Sequence, residues 1–104
     1  METMEHVRVA TYKITEGSFQ DIAGSAKTGM LQKFKELPGF VRYGVADVGD
    51  RTLLSLSVWK SRQQAEAATP VAATWVRDNI ADRIELKSNY IGDLAFFEGA
   101  PATV

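Results

Sequence analysis

The chain has 104 residues, of which 45% are hydrophobic and 24% are charged, and its formal net charge is -1 at pH 7. Size and composition predict one globular domain over residues 1–104, with a core at about 6–97 and a loose tail at 98–104. Because there is no cysteine and only one histidine, disulfides, thiolate metal sites and multi-histidine metal sites are excluded. Lysine and arginine are scattered, which argues against nucleic acid and anionic membrane surfaces as partners.

The N-terminal residues and the hydropathy of the chain predict a cytoplasmic protein. Met1–His6 carries neither the basic segment nor the apolar core of a signal peptide. No apolar run approaches the ~20 residues that cross a bilayer. We therefore expect no membrane partner.

Alternating and β-branched residues predict four strands. They cover residues 7–14, 40–48 and 52–59, followed by a long strand within 84–97 that is bulged at Gly92-Asp93. Gly49-Asp50-Arg51 has the composition of a tight turn, so the second and third strands should form an antiparallel hairpin.

Helical spacing of apolar residues predicts a helix over residues 18–36, capped by Ser18. Its Gly24 and Gly29 either mark a close approach of the backbone to a neighbour or are simply tolerated. A second helix starts after Ser61, with Gln64 at the reciprocal capping-box position. Because proline lacks the N–H donor, we expect Pro70 to divide this helix into one piece ending near residue 68 and another running to about residue 83. In the second piece, Ala73, Val76 and Ile80 lie on one face and Trp75 lies at its shoulder.

The resulting order, β-α-β-β-α-β, is typical of the ferredoxin-like α+β fold, an antiparallel sheet with both helices on one face. The other face of the sheet still carries apolar side chains, such as Leu54, Leu56 and Val58. That is more contiguous apolar surface than a soluble monomer usually exposes. The sequence therefore predicts a homodimer in which two sheets pack face to face.

The third strand carries the strongest indication of a binding site. Leu54, Leu56 and Val58 point to one face, while Ser55, Ser57 and Trp59 point to the other, together with Leu53. A face buried in packed core would be almost wholly apolar, so the two serines indicate a pocket wall with Trp59 at its end. The alternative for Trp59 is an ordinary core position.

These segments resemble the antibiotic biosynthesis monooxygenase (ABM) group of dimeric α+β barrels. The matching pieces are the opening strand, the entrance to strand two, the third strand with the start of its helix, part of the second helix, and the closing strand. In sequence these include Leu37-Pro38-Gly39-Phe40-Val41, Leu54-Ser55-Leu56-Ser57-Val58-Trp59-Lys60-Ser61 and Ala73-Thr74-Trp75-Val76.

The resemblance implies oxidation of aromatic phenols or dihydroquinones to quinones without a cofactor; other members of the group degrade haem. In the oxygenases a tryptophan on strand three lines the pocket, with an asparagine four residues earlier. Trp59 stands at the tryptophan position and Ser55 at the asparagine position. The haem-degrading members carry an axial histidine on the second helix, and residues 75–79 contain none.

Two functions follow from the sequence and the resemblance. The first is a cofactor-independent monooxygenase acting on a small electron-rich aromatic or enolisable molecule, and the second is a non-catalytic ligand-binding or accessory dimer. The candidate catalytic residues are Trp59 and Ser55, and the candidate substrate-binding residues are Tyr12, Tyr43, Trp75, Arg77 and Tyr90. Each also has a structural alternative, because tyrosines are common on sheet faces and arginines commonly project into solvent.

Overall fold

The computed structural model describes residues 5–99, which form one antiparallel sheet covered on one face by helices. The strands are β1 (His6–Ile14), β2 (Phe40–Asp47), β3 (Thr52–Trp59) and β4 (Ile84–Asp93), and the sheet order is β2-β3-β1-β4. The helical elements are α1 (Phe19–Ser25), a π-helical turn (Ala26–Met30), α2 (Leu31–Lys35) and α3 (Arg62–Asn79). The ferredoxin-like βαββαβ fold predicted from the sequence is confirmed. Most of the predicted tail at 98–104 lies outside the described residues.

The helix predicted over residues 18–36 forms as α1, the π-helical turn and α2 in direct succession. Ser18 caps it, since its Oγ accepts a hydrogen bond from the Asp21 N–H at 3.2 Å. At the end of the π-helical turn the Leu31 N–H donates to the Ala26 carbonyl, five residues earlier. The buried residues recur every fourth position, at Ile22, Ala26, Met30 and Phe34. In an α-helix, side chains four residues apart point in directions that differ by about 40° around the axis. The wider π-helical turn reduces this difference, so that the four side chains stay on one face.

α3 runs unbroken through Pro70, so the predicted division near residue 68 and the predicted end near residue 83 are wrong. Pro70 is exposed and so is Glu66, four residues earlier. The carbonyl that loses its helical donor therefore lies on the solvent side, where water can bind it. The opposite side of the helix is buried through Ala65, Ala68, Ala72 and Trp75. Trp75 is thus on the buried face, whereas Ala73, which the sequence placed there, is exposed.

Two further local predictions need correction. Ser61 caps α3 by accepting from the Gln64 N–H at 3.1 Å, but the Gln64 side chain does not complete the capping box. It lies instead against Gly39, whose φ of +81° and lack of a Cβ make room for it. The register of β1 and β4 shifts between Thr11 and Tyr12, which places the bulge at Lys87 and not at Gly92-Asp93.

The second face of the sheet is free of helices in the single chain. Leu54 and Leu56 are half-buried there, and Tyr90 is 67% exposed. Val58, which the sequence assigned to a dimer partner, is already buried within the chain. None of the helices in residues 5–99 is both long enough and apolar enough to cross a membrane.

Candidate functional site

The candidate site lies on the helix-facing side of the sheet, where small side chains occupy its centre. Ser55 on β3 stands between Val45 of β2 and Ala10 of β1. One step along β3, Ser57 stands between Tyr43 and Arg8 in the same manner. Because strand side chains alternate, both rows face α3 and the π-helical turn.

An internal cavity of about 20 Å³ remains between this face and the helices. It is walled by Tyr12, Ile22, Ala26, Met30, Tyr43, Val45, Leu53, Ser55, Trp75, Val76, Ile80 and Ile84. Such a space holds roughly one water molecule and no aromatic ring. Any larger ligand therefore has to displace part of the wall.

Four of the seven candidate residues meet at this cavity: Tyr12, Tyr43, Ser55 and Trp75. Tyr12 and Ser55 come from neighbouring central strands, Tyr43 from the edge strand, and Trp75 from α3. Three side chains carry hydroxyl groups, and the fourth supplies an aromatic surface. The sequence could name these residues individually, but only the sheet register brings them to one point.

The other three candidates lie elsewhere. Trp59 is fully buried beside Phe34 and Phe40, with ring centroids 5.3 and 5.4 Å away, and its indole Nε1 donates to Ser57 Oγ at 2.9 Å. Arg77 projects from α3 into solvent next to Asp78. Tyr90 is on the open face of the sheet, opposite Val9. None of the three lines the internal cavity.

The phenol of Tyr43 has the most strongly altered chemistry at the site. Burial raises its pKa to about 12, because the phenolate would lose its hydration. Hydrogen bonding with Ser55 and the positive charge of Arg8 oppose this rise, while the Tyr12 phenol adds to it. Tyr43 therefore stays protonated at neutral pH and can donate a hydrogen bond.

Arg8 is a buried cation that sequence reasoning missed. It is only 3% exposed, and its Nε donates to Thr69 Oγ1 of α3 at 3.1 Å. No carboxylate of residues 5–99 lies within ion-pair distance of it. The signal was present in the strand pattern, because Arg8 shares its face of β1 with Ala10 and Tyr12.

The cavity walls offer hydrogen-bond donors but no general base. Its lining contains no histidine and no carboxylate, and no cluster of metal-binding side chains occurs within the described residues. The hydroxyls of Tyr12, Tyr43 and Ser55 can donate to an oxygen atom that becomes negatively charged. The arrangement can stabilise an oxyanion, and the ligand itself has to release its proton to solvent.

No family model matches the sequence, and no curated protein matches it significantly. Solved structures do share its fold. SnoaB, a cofactor-independent oxygenase from Streptomyces nogalater, is 17% identical, with a TM-score of 0.63 over 95% of this chain and 99% of that one. A candidate antibiotic biosynthesis monooxygenase from Nitrosomonas europaea is 18% identical, with a TM-score of 0.61 over 90% of this chain and 91% of that one.

This chain therefore shares the ferredoxin-like α+β fold of these two structures. MupZ from Pseudomonas fluorescens shares it as well, at 13% identity and a TM-score of 0.70 over 84% of this chain and 69% of MupZ. At such identities the likeness concerns the backbone, while function depends on the side chains of the site.

Proposed function

We propose that the protein is a cofactor-independent monooxygenase for a small electron-rich aromatic or enolisable molecule. The observation that carries this proposal is the convergence of the Tyr12, Tyr43 and Ser55 side chains on one cavity. The fold shared with SnoaB, a cofactor-independent oxygenase, supports it. Trp59 enters the proposal as a support, since its indole holds Ser57 beside the site.

The proposed reaction needs only the substrate and O₂. The substrate loses a proton from a ring C–H or O–H to solvent. Its anion gives electrons to O₂, forms a bond from a ring carbon to oxygen, and takes up a proton from solvent to become a ring-carbon hydroperoxide. Loss of water then leaves a quinone carbonyl, so one oxygen atom enters the product and the other leaves as water. The Tyr43 and Ser55 hydroxyls would stabilise the charge on the substrate oxygen during the first two steps.

We further propose that the working form is a cytoplasmic homodimer joined through the open sheet face. Leu54, Leu56 and Tyr90 leave apolar surface exposed on that face. A second copy is the simplest cover for it, because both sheets would bury the same patch. The lack of cysteine suits a reducing compartment.

The test is oxygen uptake together with quinone absorbance when the purified protein is given anthrone or 1-naphthol. We expect turnover of at least one of them, and a drop in kcat of about 10²-fold in Tyr43→Phe because an oxyanion donor is lost. Ser55→Ala should also reduce kcat. Ser88→Ala, the same change on the open face, should stay within twofold of wild type. Absence of uptake with both substrates would contradict the proposal for this substrate class.

A ligand-binding or accessory dimer is the second candidate, and the cavity lining favours it, because its residues include no histidine or carboxylate that could act as a general base. If this candidate is right, the same aromatic molecules should raise Tm without any oxygen uptake. A thermal shift measured beside the uptake assay therefore separates the two functions.

A further inference from the structure

A surface groove of about 250 Å³ adjoins the internal cavity. It runs between α1, the π-helical turn and the edge strand β2, and it is bounded by Ala23, Ala26, Lys27, Leu31, Tyr43, Gly44 and Val45. We call it the β2 groove. Three of its residues, Ala26, Tyr43 and Val45, also wall the internal cavity.

Of the three shared residues, Tyr43 is the one whose movement would join the spaces. Ala26 ends at its Cβ, and Val45 has a stiff branched side chain. Tyr43 carries a large ring that rotates about two bonds and packs edge-on against Phe34, with ring centroids 5.1 Å apart. The β2–β3 register also shifts between Phe40 and Arg42, directly before Tyr43, and such irregularities often adjoin functional sites.

A larger groove of about 570 Å³ lies on the other side, between α2 and α3, but it is poorly connected to the cavity. It shares only Trp75 with the cavity walls. Trp75 is pressed against the backbone of the π-helical turn, since a Cβ on Gly29 would lie 2.5 Å from its ring. The indole therefore closes this side, and the larger groove is not the better route inward.

We propose that the β2 groove is the place where a planar phenol of one or two rings binds and enters the domain, with the Tyr43 ring as the movable wall. This inference rests on the proposed function for the choice of ligand. Groove and cavity together approach the lower end of the volumes that hold small ligands, about 300 Å³. Tyr43 provides aromatic surface in the groove, and the Lys27 ammonium at its rim attracts an ionised phenol.

The experiment uses the natural absence of cysteine. Ser55 lines the cavity and not the groove, so in Ser55→Cys the single thiol reports passage into the interior. The rate at which a neutral aromatic disulfide labels this thiol is measured in three proteins. They are Ser55→Cys alone, Ser55→Cys with Ala23→Trp in the β2 groove, and Ser55→Cys with Thr74→Trp in the larger groove. Both second changes place the same side chain on the helix wall of a groove.

We expect Ala23→Trp to slow labelling at least tenfold and Thr74→Trp to leave the rate within twofold. Equal rates in all three proteins, or slowing by Thr74→Trp alone, would overturn the β2 groove as the route. If Ala23→Trp does not fold, Lys27→Trp tests the same mouth. The rate of global unfolding is measured in parallel and should be slower than the rate of labelling. If global unfolding limits labelling, the thiol is reached through the unfolded chain, and the β2 groove is overturned as the route.

The ligand class is tested by protection. In the Ser55→Cys protein, 1-naphthol should slow labelling as its concentration rises, whereas cyclohexanol should not. Lack of protection up to the solubility of 1-naphthol would overturn the ligand class. Failure of the proposed monooxygenase function is a separate result, because it appears as absence of oxygen uptake while the labelling pattern stays as expected.

Discussion

At the scale of single residues, Tyr43 combines structural and chemical roles. Its ring lines the internal cavity and packs on Phe34, while its hydroxyl is held protonated by burial. Ser55 and Arg8 moderate that effect from β3 and β1. A donor that stays protonated well above neutral pH is suited to stabilising a substrate anion, because it does not compete with the substrate for ionisation.

Tyr43 should make the stability of the protein depend on pH above 10. Its pKa is about 12 in the folded chain and about 10 in an unfolded one. The folded state therefore binds more protons between these values, and the free energy of unfolding falls as the pH rises through them. Relative to Tyr43→Phe, wild type should lose about 1.4 kcal/mol by pH 11. Urea unfolding of both proteins at pH 9 and pH 11 measures this, and parallel losses would contradict it.

At the scale of elements, the fit between the π-helical turn and α3 positions the roof of the site. Trp75 lies over Gly29, and its backbone carbonyl accepts from Asn79 Nδ2 at 2.8 Å. The small residues Ala65, Ala68 and Ala72 on the same side of α3 are buried as well. This close packing explains why the space behind Ser55 is so small.

Gly29 and Gly24 offer a matched pair of substitutions in this helical run. Gly29→Ala should destabilise the protein, because overpacking against Trp75 costs about 1–3 kcal/mol and exceeds the gain in helix propensity. At Gly24 the position that a Cβ would take has open space around it to 4 Å, so Gly24→Ala should stabilise by up to about 1 kcal/mol. Thermal and urea unfolding of both variants checks the signs. Equal effects would mean that Trp75 does not rest on Gly29.

At the scale of the whole molecule, the two faces of the sheet differ in how well they are covered. One face is covered by the helices of the same chain, and the other retains Leu54, Leu56 and Tyr90 at its surface. The exposed Phe96 and Phe97 follow β4 and add apolar area beyond the sheet. Such a distribution favours a second copy over solvent.

A charge in the middle of the open face should prevent the proposed dimer. We expect wild type to sediment with twice the chain mass at micromolar concentration and Leu56→Lys to sediment as a monomer, because an unpaired ammonium would be buried between the sheets. Ala73→Lys places the same charge on the exposed side of α3 and should remain dimeric. A monomeric wild type would contradict the dimer, and circular dichroism confirms that each variant is folded.

Individual residues show which features the sequence pattern predicted correctly and which it did not. The alternation along Leu53–Trp59 correctly assigned Ser55 and Ser57 to the helix-facing side, and Ser18 and Ser61 were correctly predicted as helix caps. Pro70 misled the prediction, because the freed carbonyl faces water and the packing of α3 outweighs the local cost of the proline, about 3 kcal/mol. The π-helical turn and the bulge at Lys87 arise from packing and pairing with distant residues.

The sequence by itself determined the order of strands and helices and which face of β3 turns inward, because both follow from local periodicity. Only the tertiary structure decided which candidates meet. It gathered Tyr12, Tyr43, Ser55 and Trp75 at one cavity and left Trp59 in packed core, because register and helix placement depend on contacts between residues far apart in the chain. The burial of Arg8 and the small size of the cavity have the same origin, since both arise where α3 closes over the sheet.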